Sequence, residues 1–162
     1  MVDSGTRRLA LAYPELRRFA FVVADSDMDP EDVLHEALVR LLRRGHLDEI
    51  RDLELYGRRA ISNEVSNRRR SFMRRRRAVS RFAADVRDDA VDPEWPSDLA
   101  ELMHLGPTER AALYMFVVER RSHREIADVL GVAEGTSSSL VSRALVRLRA
   151  EVAEEVSRGD VG

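Results

Sequence analysis

Residues 122–152, SHREIADVLGVAEGTSSSLVSRALVRLRAEV, carry the signal that decides the fold. Ser122 and Glu125, three residues apart, form a capping box. The hydroxyl accepts from a backbone N–H of the first turn, and the carboxylate accepts from the cap residue's own N–H. Ile126, Ala127 and Leu130 give the helix that opens there a buried side, and Gly131 suits a left-handed stop. After a short VAEG turn, Leu140, Val141, Ala144, Leu145 and Leu148 recur at helical spacing and mark a second, longer helix. Two helices joined by a brief glycine-containing turn make a helix-turn-helix, whose second helix enters the major groove of DNA by its N-terminal residues. Here those residues are Glu134, Gly135, Thr136, Ser137, Ser138, Ser139, Ser142 and Arg143. An ordinary helical hairpin is the other structure this spacing allows. Upstream, GPTERAALYMFVVER predicts a supporting helix that begins near Pro107.

Charge is segregated along the remainder of the chain. RRRSFMRRRR, residues 68–77, is dense in arginine, whereas DDAVDPEWPSDLAE, residues 88–101, is acidic and contains no basic residue. The acidic stretch holds Pro93 and Pro96 and lacks apolar periodicity, so it reads as a linker between two domains. The formal net charge of -2 averages these segments and is no argument against a nucleic-acid partner. All 27 basic residues are arginine, which forks onto phosphate or guanine with two donors where lysine offers a point charge.

Three helices are predicted before the linker. The first runs from about Pro14, at N1, through ELRRFAFVVA to an Asp-Ser-Asp turn. The second has Asp29 as cap, Pro30 at N1, and Glu31 and Asp32 in its first turn, which the helix dipole favours. Its apolar stripe is Val33, Leu34, Ala37, Leu38, Leu41 and Leu42, leaving His35, Glu36, Arg40 and Arg43 outside. The third begins near Leu53 and continues into the arginine run, with Tyr56, Ala60, Ile61, Val65 and Phe72 as its apolar side. Arginines at 68–70 and 74–77 point almost all around that helix, so its charged end must project from the bundle, and a phosphate backbone would supply counter-charge. Asn63 and Asn67, one turn apart, can donate to and accept from base edges, or are simply exposed polar positions. No strand pattern or βαβ alternation appears. The expected fold is all-α: two small helical domains, residues 9–84 and 98–157, joined by an acidic linker at 85–97.

Several classes are excluded. There is no cysteine, hence no disulfide framework, zinc finger or thiol nucleophile. No apolar run approaches the roughly 20 residues needed to span a bilayer, and the N-terminus has no signal-peptide h-region, so a cytoplasmic protein without membrane insertion is expected. His35, His46, His104 and His123 are scattered, without a metalloprotease, phosphate-loop or nucleophile-elbow motif to organise them. No enzyme activity, cofactor or metal is expected.

The segment LGPTERAALYMFVVERRSHREIADVLGVAEGTSSSLVSRALVRLR resembles the C-terminal domain of sigma-70 family factors of the extracytoplasmic-function group. Those commonly read L-P-x-x-x-R, E-I-A-x-x-L-G, G-T-V-x-S-R and R-A-x-x-x-L-R. The N-terminal half agrees independently. DPEDVLHEALVRLLRR resembles the family's D-x-E-D-L-x-Q-E-x-F segment, and YGRRAISNEVSNRRRSFMRRRR resembles the W-L-x-x-I-A-x-N…R-R segment that follows it. The resemblance spans about residues 9–152. It implies a promoter-specificity subunit that binds core RNA polymerase and promoter DNA, with an anti-sigma factor or other regulator as a further partner. Asp32, His35, Glu36, Val39, Arg40 and Arg43 would face the polymerase clamp helices. Tyr56, Asn63, Asn67, Arg68, Arg69 and Arg70 would engage and open the −10 element, with the aromatic ring a platform for an unstacked base. Arg124, Thr136, Ser138, Ser139, Ser142 and Arg143 would read the −35 element. The acidic linker would thread the polymerase channels that otherwise accept nucleic acid, or serve as a solvated tether.

Some positions depart from the family pattern. His35 replaces the usual glutamine, and Tyr56 stands where tryptophan is frequent. In TSSSL the family usually places basic residues at Ser138 and Leu140, each good base contact being worth about 1–3 kcal/mol. Weak, selective or assisted −35 binding is therefore expected. A stand-alone helix-turn-helix regulator and a sigma-like decoy are the alternative classes, and DPEDVLHEAL with SNEVSNRRR is what the former would not need.

Overall fold

The structure is a computed structural model that describes residues 3–79, 102 and 104–159. The acidic linker and the domain boundaries beside it lie outside the described residues. Among the described residues there are six α-helices and no strand: α1 Ser4–Val23, α2 Pro30–Arg44, α3 Leu53–Val79, α4 Pro107–Val117, α5 His123–Leu130 and α6 Glu134–Gly159. A 3-10 turn, Leu47–Glu49, lies between α2 and α3. The chain forms two compact units, one within residues 1–94 and one within 95–162.

In the first unit α1, α2 and α3 pack on one another. Their core is Leu9, Leu16, Phe19 and Val22 of α1, Val33, Leu34 and Ala37 of α2, and Leu53, Ile61 and Val65 of α3. The α2 cap is as expected: Asp29 Oδ1 accepts from Glu31 N at 2.8 Å and Pro30 opens the helix. Two expectations are corrected. First, α1 starts at Ser4, and Pro14 lies inside it rather than at its beginning. Proline costs a helix the bond to the carbonyl four residues back, but Ala10 and Pro14 are both exposed, so that carbonyl can face water. Upstream contacts carry the helix on: Gly5, Leu9 and Ala12 are buried, and Arg8 Nη2 donates to the carbonyls of Ile50 and Arg51 at 2.9 and 3.2 Å. Second, the inner face of α3 is Leu53, Gly57, Arg58, Ile61, Glu64 and Val65. Tyr56 and Ala60 sit at its edge, and Phe72 is exposed beyond the bundle with the rest of residues 72–79. Arg58 is buried, its guanidinium 6.0 Å from the Phe19 ring centroid and paired with Glu54.

In the second unit α4 and α5 pack on α6 around Ala112, Tyr114, Met115, Ile126, Val129, Val141 and Ala144. Pro107 opens α4 after Gly106, and the buried Arg110 donates to the Leu105 carbonyl at 3.1 Å.

In the first unit α3 comes close to α1 at Gly57, where an added Cβ would lie 2.7 and 2.8 Å from the methyls of the fully buried Leu16. Alanine in a helix normally gains about 1 kcal/mol over glycine, whereas overpacking a tight core costs about 1–3 kcal/mol. Gly57→Ala is therefore expected to lower the urea midpoint of the full-length chain. A raised midpoint would show that Leu16 has room to move aside.

Candidate nucleic-acid interface

The helical period of α3 places Tyr56, Arg59, Ala60, Asn63, Asn67 and Arg70 on one stripe outside its core face, with Tyr56 and Ala60 at the edge nearer the core. With Arg40, Leu41 and Arg44 of α2 they line an open groove of ≈ 660 Å³. Its floor is ordered by its own side chains: the Arg44 guanidinium lies 5.5 Å from the Tyr56 ring centroid and donates to the phenol oxygen. Arg70 Nη2 donates to Asn67 Oδ1 at 2.6 Å. Arginine cations, two amides and an aromatic ring are the donor set that holds phosphate while stacking on and bonding to bases. Arg44 and Arg59 escaped the sequence-based selection, although Arg59 shares the three-and-four spacing of Tyr56, Asn63 and Asn67.

The other arginines chosen from sequence take different places. Arg68 turns into the α2–α3 seam, where its Nε donates to Glu64 Oε1 at 2.8 Å and its Nη2 to the Asp32 carbonyl at 3.3 Å. Arg69 Nε meets Asp25 Oδ2 at 2.7 Å on the α1 side. Arg74 and Arg77 continue outward with Ser66, Arg69, Arg70 and Met73 along a further basic face. On α2, Asp32, His35, Val39 and Arg43 are exposed and Glu36 half-buried, forming one ridge away from the core. Arg40 flanks that ridge and leans to α3, its Nη1 2.6 Å from Glu64 Oε2.

In the second unit the helix-turn-helix forms as its sequence specifies. Glu125 N donates to Ser122 Oγ at 3.3 Å, and Ser122 N donates to Glu125 Oε2 at 2.8 Å. Gly131 ends α5 in the left-handed region, with φ 67°. The α6 start presents Gly135, Thr136, Ser138, Ser139, Ser142 and Arg143 along a shallow concavity, and Arg124 is exposed on α5. One of the predicted reading residues belongs to packing instead. Ser137 is fully buried, its hydroxyl 3.2 Å from His123 Nδ1, and the His123 ring stacks on Phe116 at 4.8 Å. Leu140 is also buried, so the departure from the usual basic residue at that position exposes nothing different. Arg147 Nη1 meets Glu109 Oε2 at 2.8 Å, and Arg143 Nε lies 3.9 Å from the same carboxylate.

Two helical units, one with a basic amide-lined groove and one with a helix-turn-helix, define a class of DNA-binding protein. Comparison with known proteins makes the class specific. Residues 99–148 match the family model described as Sigma-70, region 4. The chain is 34% identical over 146 residues to the RNA polymerase sigma-E factor of Streptomyces avermitilis, covering 85% of this chain and 78% of that protein. It is 30% identical over 142 residues to the RNA polymerase sigma-E factor of Streptomyces coelicolor, covering 85% and 79%. Its fold matches the sigma factor RpoE of Bartonella quintana, solved in complex with the anti-sigma factor NepR, with a TM-score of 0.73 at 23% identity, covering 94% and 98% of the two chains. The chain belongs to the sigma-70 family of RNA polymerase sigma factors, in the extracytoplasmic-function group. It is a promoter-specificity subunit that directs core RNA polymerase to promoter DNA, and such factors are non-catalytic. No described helix is long and apolar enough to cross a membrane.

The capping box makes a pH prediction. The Ser122 backbone N–H, with help from the Ser122 hydroxyl and Arg121, holds the Glu125 carboxyl below its ordinary range despite opposing desolvation. A depressed folded value means that the stabilisation is present above the unfolded carboxyl's range and is lost as pH falls through the folded value. Ser122→Ala is expected to cost about 1 kcal/mol at neutral pH. Glu125→Gln should flatten the acid limb of a plot of urea midpoint against pH. An acid limb as steep as that of the unmodified chain would remove Glu125 from the titration.

Proposed function

We propose a division of labour in which the first domain, residues 9–84, holds core polymerase and the −10 element, and the second, residues 98–157, reads the −35 element, with 85–97 as the acidic connection. The carrying observation is the single stripe of Tyr56, Asn63, Asn67 and Arg70 on the face of α3 away from its core. Asn63 and Asn67 read base edges, Arg70 and Arg59 hold phosphate, and Tyr56, backed by Arg44, offers a face to an unstacked base. Arg68 and Arg69, paired with Glu64 and Asp25, steady the helix more than they touch DNA. The ridge of Asp32, His35, Glu36, Val39 and Arg43 is the polymerase surface, with Arg40 at its margin. Ser138, Ser139, Ser142, Thr136 and Arg143, with Arg124 from α5, form the −35 face. The protein acts in the cytoplasm, and its partners include an anti-sigma factor or comparable regulator, as the Bartonella quintana relative is held by NepR.

The deciding experiment is in vitro transcription with core polymerase across a promoter library, in which the chain is expected to give promoter-specific transcripts. Within it, Asn63→Ala with Arg70→Ala should reduce promoter melting at fixed holoenzyme concentration, and unchanged permanganate reactivity of the −10 bases would remove these residues from the reader. Asp32→Arg with Glu36→Arg should abolish copurification with core polymerase while both units keep their unfolding transitions. Copurification at the normal level would refute the assigned ridge.

A further inference from the structure

Glu64 is the one carboxylate in residues 58–77, a stretch with nine arginines, and it is buried, with its side chain 5% exposed. Its two oxygens take two guanidinium groups from different helices: Arg40 Nη1 of α2 at 2.6 Å and Arg68 Nε of α3 at 2.8 Å. The Arg68 contact is an aligned hydrogen bond, whereas the Arg40 contact is a charge contact. Each arginine has a second anchor, Arg40 Nε with Glu36 Oε1 at 3.4 Å and Arg68 Nη2 with the Asp32 carbonyl at 3.3 Å. Arg40 also lines the groove that holds Asn63, Asn67 and Arg70. Arg40 thus borders the proposed DNA face, and Arg68 adjoins Asn67 along the same helix, but each is turned toward a buried anion. A buried carboxylate holding two cations is costly to leave unpaired, which favours keeping them there.

We propose that Glu64 is a specificity-determining residue: by retaining Arg40 and Arg68 in the α2–α3 seam, it withholds two cations from sequence-independent contact with the DNA backbone. The groove is then left to Asn63, Asn67 and Arg70, whose contacts depend on base identity and on an ordered floor. This inference rests on the assignment of that groove to DNA. Removing the carboxylate frees Arg40 and Arg68 to reach phosphate, so affinity rises for DNA of any sequence and discrimination falls.

The test uses the full-length chain and a labelled duplex of random sequence, titrated over about 50–200 mM salt, where each phosphate contact adds about 0.9 to the log–log slope, roughly a three- to fourfold change in affinity. Glu64→Gln, which keeps side-chain volume, is expected to steepen the slope by about 0.9 to 1.8, for one or two released arginines. Adding Arg68→Gln to Glu64→Gln should return about half of a two-arginine increase. Arg68→Gln alone, with Glu64 intact, should leave the slope unchanged, and this arm decides the matter if Glu64→Gln loses cooperative unfolding. A slope lowered by Arg68→Gln alone would mean that Arg68 already reaches phosphate, and a folded Glu64→Gln with an unchanged slope would mean that nothing was withheld. Either result overturns the proposal. So does a steepened slope that neither Arg68→Gln nor Arg40→Gln reduces, since the gain would then come only from loss of negative charge. Arg70→Gln reports separately on the groove: an unchanged slope there rejects the DNA assignment itself.

Discussion

A helix with nine arginines in residues 58–77 can join a packed bundle only if the cations nearest the core find anions: the buried Arg58 takes Glu54, and the α2–α3 seam is closed by Glu64. Desolvating an unpaired guanidinium costs several kcal/mol, more than one apolar side chain at the same depth returns. The Glu64 carboxylate instead binds α3 to α2 through Arg40 and closes back on α3 through Arg68, while Ile61 and Val65 on the same flank carry the apolar packing. Once that flank is fixed inward, the period of the helix leaves Asn63, Asn67 and Arg70 outward without further choice. The position of the proposed DNA-facing stripe is therefore a consequence of how the seam is neutralised, and the α2 ridge is held in register with it by the same contacts.

This coupling also explains what was and was not legible in the sequence. Features that depend on neighbours within one helical turn were read correctly: the Asp29 cap with Pro30, the Ser122–Glu125 box and the Gly131 stop are all local chemistry. Pro14 misled because its local meaning, a helix start, was overridden by contacts distant in sequence, Gly5 against Leu47 and Arg8 against the carbonyls of residues 50 and 51. The inner face of α3 was misjudged for a related reason. Apolar residues alone pointed to Tyr56, Ala60 and Phe72, but the face is completed by Gly57, Arg58 and Glu64, a close-approach residue and two charged ones. Periodicity that counts only apolar side chains misses a seam sealed by ions. The lone acid among the arginines was the signal that could have found it.

The arginine run shows the same division within one segment. Residues 68–70 are consecutive, so they point in directions about 100° apart, and the fold gives each a different neighbour: Glu64, Asp25 and Asn67. Arg70 alone of the three lies on the groove stripe. Beyond Ser71 the helix has left the bundle, and the exposed Arg74–Arg77 add long-range positive potential rather than fixed geometry.

The second unit poses the opposite electrostatic problem. Its proposed −35 face is built mostly from hydroxyls, with Arg124 from α5, while its α6 arginines at 143 and 147 lie beside Glu109, so α6 offers little net charge to a phosphate backbone. Hydroxyls can donate or accept, and each carries little discrimination by itself. With Leu140 buried, the departure from the family pattern reduces to Ser138, a smaller deficit than the TSSSL sequence implied. A weak reader still works when it does not act alone. Joined by one chain to a domain that, in the proposed division of labour, is held on polymerase and on the −10 element, it meets its own site at high effective concentration, so contacts too few for free binding can select among promoters. On this reasoning the first domain, in the proposed division of labour, supplies attachment together with −10 selection, and the second adds selection at the −35 element. The scarcity of cations in the first two turns of α6 then follows the same logic as the proposed retention of Arg40 of α2 and Arg68 of α3: sequence-independent attraction is kept low wherever bases are to be distinguished.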